Sequence, residues 1–326
     1  MVAYRQLHLP HHLELESENN PMQKIKLAPH LPDFSRIVYG AWRMNDDVDN
    51  APKDALEKIQ AALDVGITTF DHADIYGDYS CETLFGAALR LDSSIKNRIQ
   101  IVTKCDIMLM SEKYPERHVK HYDTSPAHIK ASVDASLARL GVDVIDVLLI
   151  HRPDPLMNAA ATGACLDELV KVGKIRAAGA SNFMPHDWNL LQANMSTPLV
   201  TNQLEISLLA RQALTDGTLA QAQQVKAPPM AWSPLGGGNL FIDGEDDGGG
   251  SAWRLRPALM RIAENYGVRT DAVAIAWLLA HPAQILPVLG TTQIPRIAKL
   301  GDAFKVDMTR EMWFELLELA EGHEVA

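Results

Sequence analysis

The sequence predicts an α/β fold, a (β/α)8 TIM barrel with two extra helices and an N-terminal extension. Three observations carry the prediction. Short apolar runs alternate with segments of helical periodicity eight times along the chain. No stretch rich in Pro, Gly and Ser divides the chain. Its 326 residues also suit one barrel of this kind, for which about 250 residues plus insertions is usual. Residues 1–21 are expected to be a loosely ordered extension and 22–326 a single barrel domain.

The expected strands lie at 37–41, 68–70, 99–104, 144–150, 175–180, 199–203, 230–232 and 285–288. They are short apolar runs without internal alternation, as expected of parallel strands covered on both faces. The first helix, 51–65, puts Ala55, Ile59, Ala62 and Leu63 on one face. The helix over 125–140 opens with Ser125 as N-cap and Pro126 at its first position. The others are expected at 81–89, 160–172, 185–193, 217–225, 272–280 and 296–300. Segments 252–266 and 309–321 break the alternation as extra helices. Two long loops, 106–124 and the Gly-rich, acidic 236–251, follow strand C-termini, the end at which such barrels assemble their sites.

Composition narrows the function. The formal charge of −11 disfavours nucleic acid and anionic membrane as partners, because both call for a basic surface. No apolar run approaches the roughly 18 residues of a membrane span. The first twenty residues lack the basic start and apolar stretch of a signal peptide, so a cytoplasmic protein is expected. Cys81, Cys105 and Cys165 are scattered, which fits reduced thiols. His118 and His121 stand three apart in a loop without a third ligand, so no metal site is expected.

Several ionisable residues fall where expected strands end: Asp71 and Tyr76 after the second, Lys104 at the end of the third, and His151 after the fourth. Consecutive strands are neighbours in a barrel, so the four converge at one mouth. Carbonyl reduction needs a hydride on carbon and a proton on oxygen. A phenol titrates near 10, and an adjacent ammonium lowers that value toward working pH. Lys104 fits that task, Asp71 would neutralise the buried lysine, and His151 would orient the carbonyl or share the proton. Taken singly, each residue also fits a blander role: a turn aspartate, a core tyrosine, a barrel-mouth salt bridge, a histidine capping a strand.

These residues sit inside longer motifs. Gly66-Ile-Thr-Thr-Phe-Asp71-His-Ala-Asp-Ile-Tyr76-Gly77 is followed by Glu82 and Gly86, and then by Val102-Thr-Lys104 and Asp146-Val-Leu-Leu-Ile-His151-Arg-Pro-Asp-Pro. Gly179-Ala-Ser181-Asn182-Phe183, Asn202-Gln203 and Trp232-Ser-Pro-Leu-Gly236 come after them in order. The chain from about Met22 onward resembles the aldo-keto reductase family. The His72-Ala-Asp-Ile-Tyr variant and the ending Met308-Thr-Arg-Glu-Met-Trp-Phe resemble a bacterial branch known only as oxidoreductases.

The resemblance implies an NADP-dependent oxidoreductase that reduces an aldehyde or ketone, with Asp71, Tyr76, Lys104 and His151 as catalytic tetrad and Tyr76 as general acid. It implies that Ser181, Asn182 and Gln203 hold the nicotinamide amide and that Trp232 stacks on the ring. Gly40 and Trp42 would line the nicotinamide and substrate side, while Ser233, Leu235 and Gly236 would begin a belt over the pyrophosphate. Gly290, Thr291, Thr292 and Arg296 would meet the far end of the cofactor. A helix starting near Pro295 and the Arg296 charge suit a 2′-phosphate, favouring NADPH over NADH. Gly290, Lys299 and Leu300 depart from the family's usual residues, which leaves the adenine contacts open. The partners implied are a small carbonyl substrate and, at most, further copies of the chain, as monomer or small homo-oligomer.

Two other readings stand beside this one. A barrel that senses the nicotinamide cofactor with little turnover would not need the intact tetrad. An aldolase or isomerase using Lys104 as Schiff-base former leaves Tyr76, Ser181, Asn182 and Arg296 without roles. No glycine-rich dinucleotide motif follows the first strand, so a Rossmann unit is not expected.

Overall fold

A computed structural model of the chain describes residues 22–46, 51–241 and 251–326. The expected extension over 1–21 and most of the acidic loop after the seventh strand lie outside the described residues. Eight parallel strands close into a barrel: β1 (Val38–Gly40), β2 (Thr69–Asp71), β3 (Gln100–Cys105), β4 (Ile145–Ile150), β5 (Ile175–Ser181), β6 (Leu199–Glu205), β7 (Met230–Trp232) and β8 (Leu286–Leu289). Neighbours in sequence are neighbours in space, and β8 pairs with β1 to complete the ring.

Alternation along each strand sorts side chains between two cores. Val38, Val102, Val147, Leu149, Ala177, Met230, Leu286 and Val288 fill the barrel, and Leu27, Leu31 and Phe34 of the N-terminal hairpin (Lys24–Ile25 with Phe34–Ser35) pack with them. Tyr39, Phe70, Ile101 and Leu289 point outward, against helices Pro52–Asp64 and Cys81–Leu91. The inner column above Val102 and Val147 continues into Lys104 and, past the end of β4, His151. The same parity that packs the lower barrel therefore aims these polar residues into its upper end.

β6 breaks that parity. Val200 belongs to the inner core and Gln203 also reaches inward, three residues on rather than two or four. The register against β5 shifts between Leu199 and Asn202, and this irregularity turns Gln203 toward the barrel axis.

The expected elements appear with two differences that matter for function. The helix expected over 296–300 is a single turn, Ile294–Ile297, followed by a 3-10 segment, Leu300–Lys305. Arg296 thus lies in the middle of a short turn rather than at a helix start. The amides of Arg296 and Ile297 are already taken by the Gln293 carbonyl, so the free N–H groups expected there are not available. The loop over 106–124 carries its own hairpin, Ile107–Met108 paired with His121–Tyr122, and so forms an arm beside the mouth.

Helix packing accounts for one residue of the signature segment. A Cβ on Gly86 would stand 2.0 Å from the Arg139 carbonyl, so only glycine lets helix Cys81–Leu91 approach helix Pro126–Leu140 this closely. Ser125 caps the latter helix by accepting from the His128 amide, with Pro126 just inside.

Candidate active site

At the C-terminal end of the barrel, Lys104 is fully buried, and its ammonium has four contacts. It donates to both oxygens of Asp71 at 2.8 Å, to the His72 carbonyl at 2.7 Å and to Tyr76 Oη at 3.0 Å. Gln203 donates its amide to Asp71 Oδ1 at 2.7 Å, so the carboxylate is held from two strands. Tyr76 is half-buried and its ring meets that of His151 edge-on, with centroids 6.1 Å apart. The structure thus brings together all four residues that the motifs single out.

Burial alone would lower the Lys104 ammonium, but the Asp71 carboxylate and the Tyr76 oxygen together outweigh it and raise the ammonium above its ordinary value. Burial acts on Tyr76 in the opposite sense from the lysine: it pushes the phenol above 10, and Lys104 only partly opposes it. The lowering expected from the sequence is therefore reversed in the free protein. Asp71 and Lys104 form a neutral pair, so Tyr76 faces a dipole rather than a bare cation. His151 is held well below its ordinary value, first by burial and then by Lys104 and Arg152, and is a neutral imidazole. Its Nδ1 is buried without a partner among the described residues.

A second network runs along the ends of β5, β6 and β7. Ser181 Oγ donates to the Gln203 carbonyl at 2.9 Å. Asn182, in a left-handed conformation at φ 61°, donates to the His151 carbonyl at 3.1 Å and to Ser181 Oγ at 2.9 Å, and accepts from Trp232 Nε1 at 3.0 Å. Trp232 is half-buried, and the Arg152 guanidinium lies 5.9 Å from its ring. Ser233 and Gly236 follow at positive φ, and the Gly236 amide closes a turn on the Ser233 carbonyl at 2.8 Å, with half-buried Leu235 between them.

On the facing side, Gly40 ends β1 beside Gly290, just past β8. Trp42 is 58 % exposed, leaving most of its indole free for a partner. Thr291 and Thr292 are half-buried, and Arg296 is exposed with no carboxylate within 4.0 Å among the described residues.

Three buried groups escaped the sequence reading. His72 has neither ring nitrogen bonded, lies edge-on to Phe85 at 4.4 Å, and is held down to about 3 by burial and then Lys104. Asp74 accepts from Ser132 Oγ at 2.8 Å, while its Oδ1 has no partner; burial raises it to about 7. Asp106, at φ 109°, accepts from the Arg152 amide at 3.0 Å, and burial raises it well above the carboxylate range. Asp74 and His72 stand in the signature segment, which was a signal; Asp106 had none. Among the described residues no cluster of His, Cys, Asp and Glu could hold a metal, and no helix is long and apolar enough to cross a membrane.

The chain is similar to known proteins over most of its length. The model of the aldo/keto reductase family matches residues 36–321. A 6-dehydroglucose reductase of Agrobacterium fabrum is 51% identical over 305 residues, covering 94% of this chain and 100% of that protein. An oxidoreductase of Escherichia coli is 42% identical, covering 93% of this chain and 99% of its own. Among solved structures, the glycerol dehydrogenase of Gluconobacter oxydans superposes with a TM-score of 0.79 at 25% identity, over 94% of this chain and 96% of that one. An aldo-keto reductase of Klebsiella pneumoniae in complex with NADPH superposes with a TM-score of 0.71 at 24% identity, over 90% and 93%.

Proposed function

The chain belongs to the aldo/keto reductase family, and on that premise we propose that it is an NADPH-dependent reductase that converts an aldehyde or ketone into an alcohol with Tyr76 as proton donor. The observation that carries this reading is the 3.0 Å contact between Lys104 Nζ and Tyr76 Oη beneath a half-open mouth. When bound, NADPH supplies the hydride.

The residues present fit that cofactor. Trp232 offers a half-exposed ring at the end of β7, and Asn182 and Ser181 hold polar groups beside it. Arg296, unpaired by any carboxylate among the described residues, and the hydroxyls of Thr291 and Thr292 suit a phosphate at the end of β8. Gln203 is committed to Asp71, so its part is to hold that carboxylate as much as to meet an amide.

In the proposed reaction a carbonyl oxygen sits between Tyr76 Oη and the His151 ring. Neutral His151 orients the oxygen by a hydrogen bond, and Tyr76 gives up its proton as negative charge develops there. Lys104 then stabilises the phenolate, while Asp71 keeps Lys104 charged and in place. The activity of the Agrobacterium relative makes 6-dehydroglucose the first substrate to test. Tyr76→Phe keeps the ring and removes the proton. NADPH is expected to quench tryptophan fluorescence alike in this variant and in the native chain, while the variant loses turnover by about 10² to 10⁴. Normal turnover by this variant would refute the assignment.

A further inference from the structure

The backbone that follows Tyr76 is unusual. Gly77, Asp78 and Tyr79 have φ of 59°, 51° and 64°, three left-handed residues in succession, of which two carry a Cβ. Left-handed runs of this kind are disfavoured for residues with side chains and persist only where the surroundings hold them. A Cβ on Gly77 would stand 2.7 Å from Cys81 Sγ, so the turn is also tightly packed from beneath.

Local bonds hold part of it, with Ser80 Oγ donating to the Gly77 carbonyl at 2.5 Å and the Ser80 amide to the Tyr76 carbonyl at 3.1 Å; the rest comes from the arm over 106–124. Tyr79 Oη accepts from the Leu109 amide at 3.2 Å and from Arg117 Nη1 at 2.7 Å. The Arg117 guanidinium lies 3.7 Å from the centre of the Tyr114 ring, and Tyr114 meets Tyr79 edge-on at 4.9 Å. Arg117 also donates to the Leu109 carbonyl at 3.3 Å, which ties the clasp to the arm's own backbone. Lys113 adds a bond to the Asp78 carbonyl. The base of the arm is fixed as well: Asp106 holds the Asp123 amide at 2.8 Å with its carbonyl and the Arg152 amide at 3.0 Å with its carboxyl. The arm is thus rooted between the strands that bear Lys104 and His151, and its tip grips the turn that bears Tyr76.

We propose that Tyr79 and Arg117 are positioning residues for carbonyl reduction, and that the clasp between them holds the left-handed turn that sets the Tyr76 hydroxyl against Lys104. The inference rests on the reading of Tyr76 as proton donor. Arg117 joins residues of two segments far apart in sequence, and its planar cation serves two functions at once: it donates to one tyrosine and stacks on another.

The test uses the full chain with NADPH and 4-nitrobenzaldehyde, measuring kcat, the NADPH dissociation constant by tryptophan quenching, and the melting temperature. Tyr79→Phe and Arg117→Met are each expected to lower kcat about tenfold, in line with the sensitivity of transfer geometry to small displacements. NADPH binding should stay within about twofold, and the double variant should lose little more than either single one, because the two residues act as a unit. Arg117→Lys, which keeps the charge without the planar stack, should fall between Arg117→Met and the native chain and guards against a methionine variant that fails to fold. The solvent deuterium isotope effect on kcat should rise in all three, since proton transfer is the step displaced. Native kcat in Tyr79→Phe and Arg117→Met, in an enzyme that Tyr76→Phe inactivates, would overturn the clasp alone. Additive losses or an unchanged isotope effect would overturn it too. Full turnover by Tyr76→Phe would overturn the proton-donor reading and the clasp with it.

Discussion

Asp74 makes the stability of this barrel depend on pH in the direction opposite to an ordinary carboxylate. It is 4% exposed, one oxygen accepts from Ser132, and the other has no partner among the described residues. Burial raises it from 3.8 to about 7, with the Glu82 charge adding to the rise and Arg139 opposing it. The folded chain therefore keeps a proton that the unfolded chain releases between pH 4 and 7. With a folded value above the unfolded one, stability falls as pH rises through that window and levels off above it. At about 1.4 kcal/mol for each tenfold change in proton affinity, the raised affinity costs the fold about 4 kcal/mol at pH 8, where folded Asp74 is ionised, and about 2 kcal/mol at pH 5, where the fold holds a proton that the unfolded chain has released. Asp74→Asn keeps the shape and an acceptor for Ser132 but cannot ionise. Urea unfolding of both proteins at pH 5 and 8 should find the asparagine variant gaining about 2 kcal/mol on the native chain between the two. Parallel pH dependence in the two proteins would refute the argument, because the only titrating group that differs between them is this carboxyl.

Two further outcomes follow from the same geometry. Lys104→Met leaves the Asp71 carboxylate buried with Gln203 as its one remaining side-chain donor among the described residues, which should destabilise the chain by about 3 to 5 kcal/mol; adding Asp71→Asn should recover much of that while turnover stays lost. Additive urea-unfolding losses in that pair would count against the ion pair as drawn. Arg296→Ala should weaken NADPH by about tenfold or more and NADH little, read by tryptophan quenching with each cofactor, since the exposed guanidinium pairs with no carboxylate among the described residues. Equal losses for both would remove it from the 2′-phosphate.

The barrel was legible because strands covered on both faces are short, largely apolar runs, and Val144-Ile-Asp-Val-Leu-Leu-Ile, with the one polar residue Asp146, stands out between helices of clear periodicity. Where the reading slipped by a residue, the strand went on past its expected end: Thr69–Asp71 carries its pairing into Asp71, a residue of the site, and Gln100–Cys105 into Cys105, which packs in the core between barrel and helices. The hairpin in the arm was not legible, since its strands are two residues each and are separated by twelve others. Nor was the irregularity in β6: nothing in Leu199-Val-Thr-Asn-Gln announces that Val200 and Gln203 share a face.

Motif residues could be named from the sequence, but the sign of their electrostatics could not, because it depends on which opposing effect wins at each atom. Lys104 beside Tyr76 suggests a depressed phenol only if the lysine acts alone. Asp71 holds that ammonium at 2.8 Å through both oxygens, and the site buries all three groups, so the net charge facing the phenol is close to zero while its desolvation is not. The consequence favours the proposed reduction. A proton donor has to reach the substrate still carrying its proton, and a phenol raised by burial does so across the neutral range. In that proposed reaction the ammonium would act later, when the proton has left and an anion sits 3.0 Å away in a low-dielectric site. A lone phenolate there would be costly, and Lys104 lowers that cost at the moment of transfer rather than before it. In the proposed reaction Asp71 would then be a brake on early ionisation as well as an anchor for Lys104.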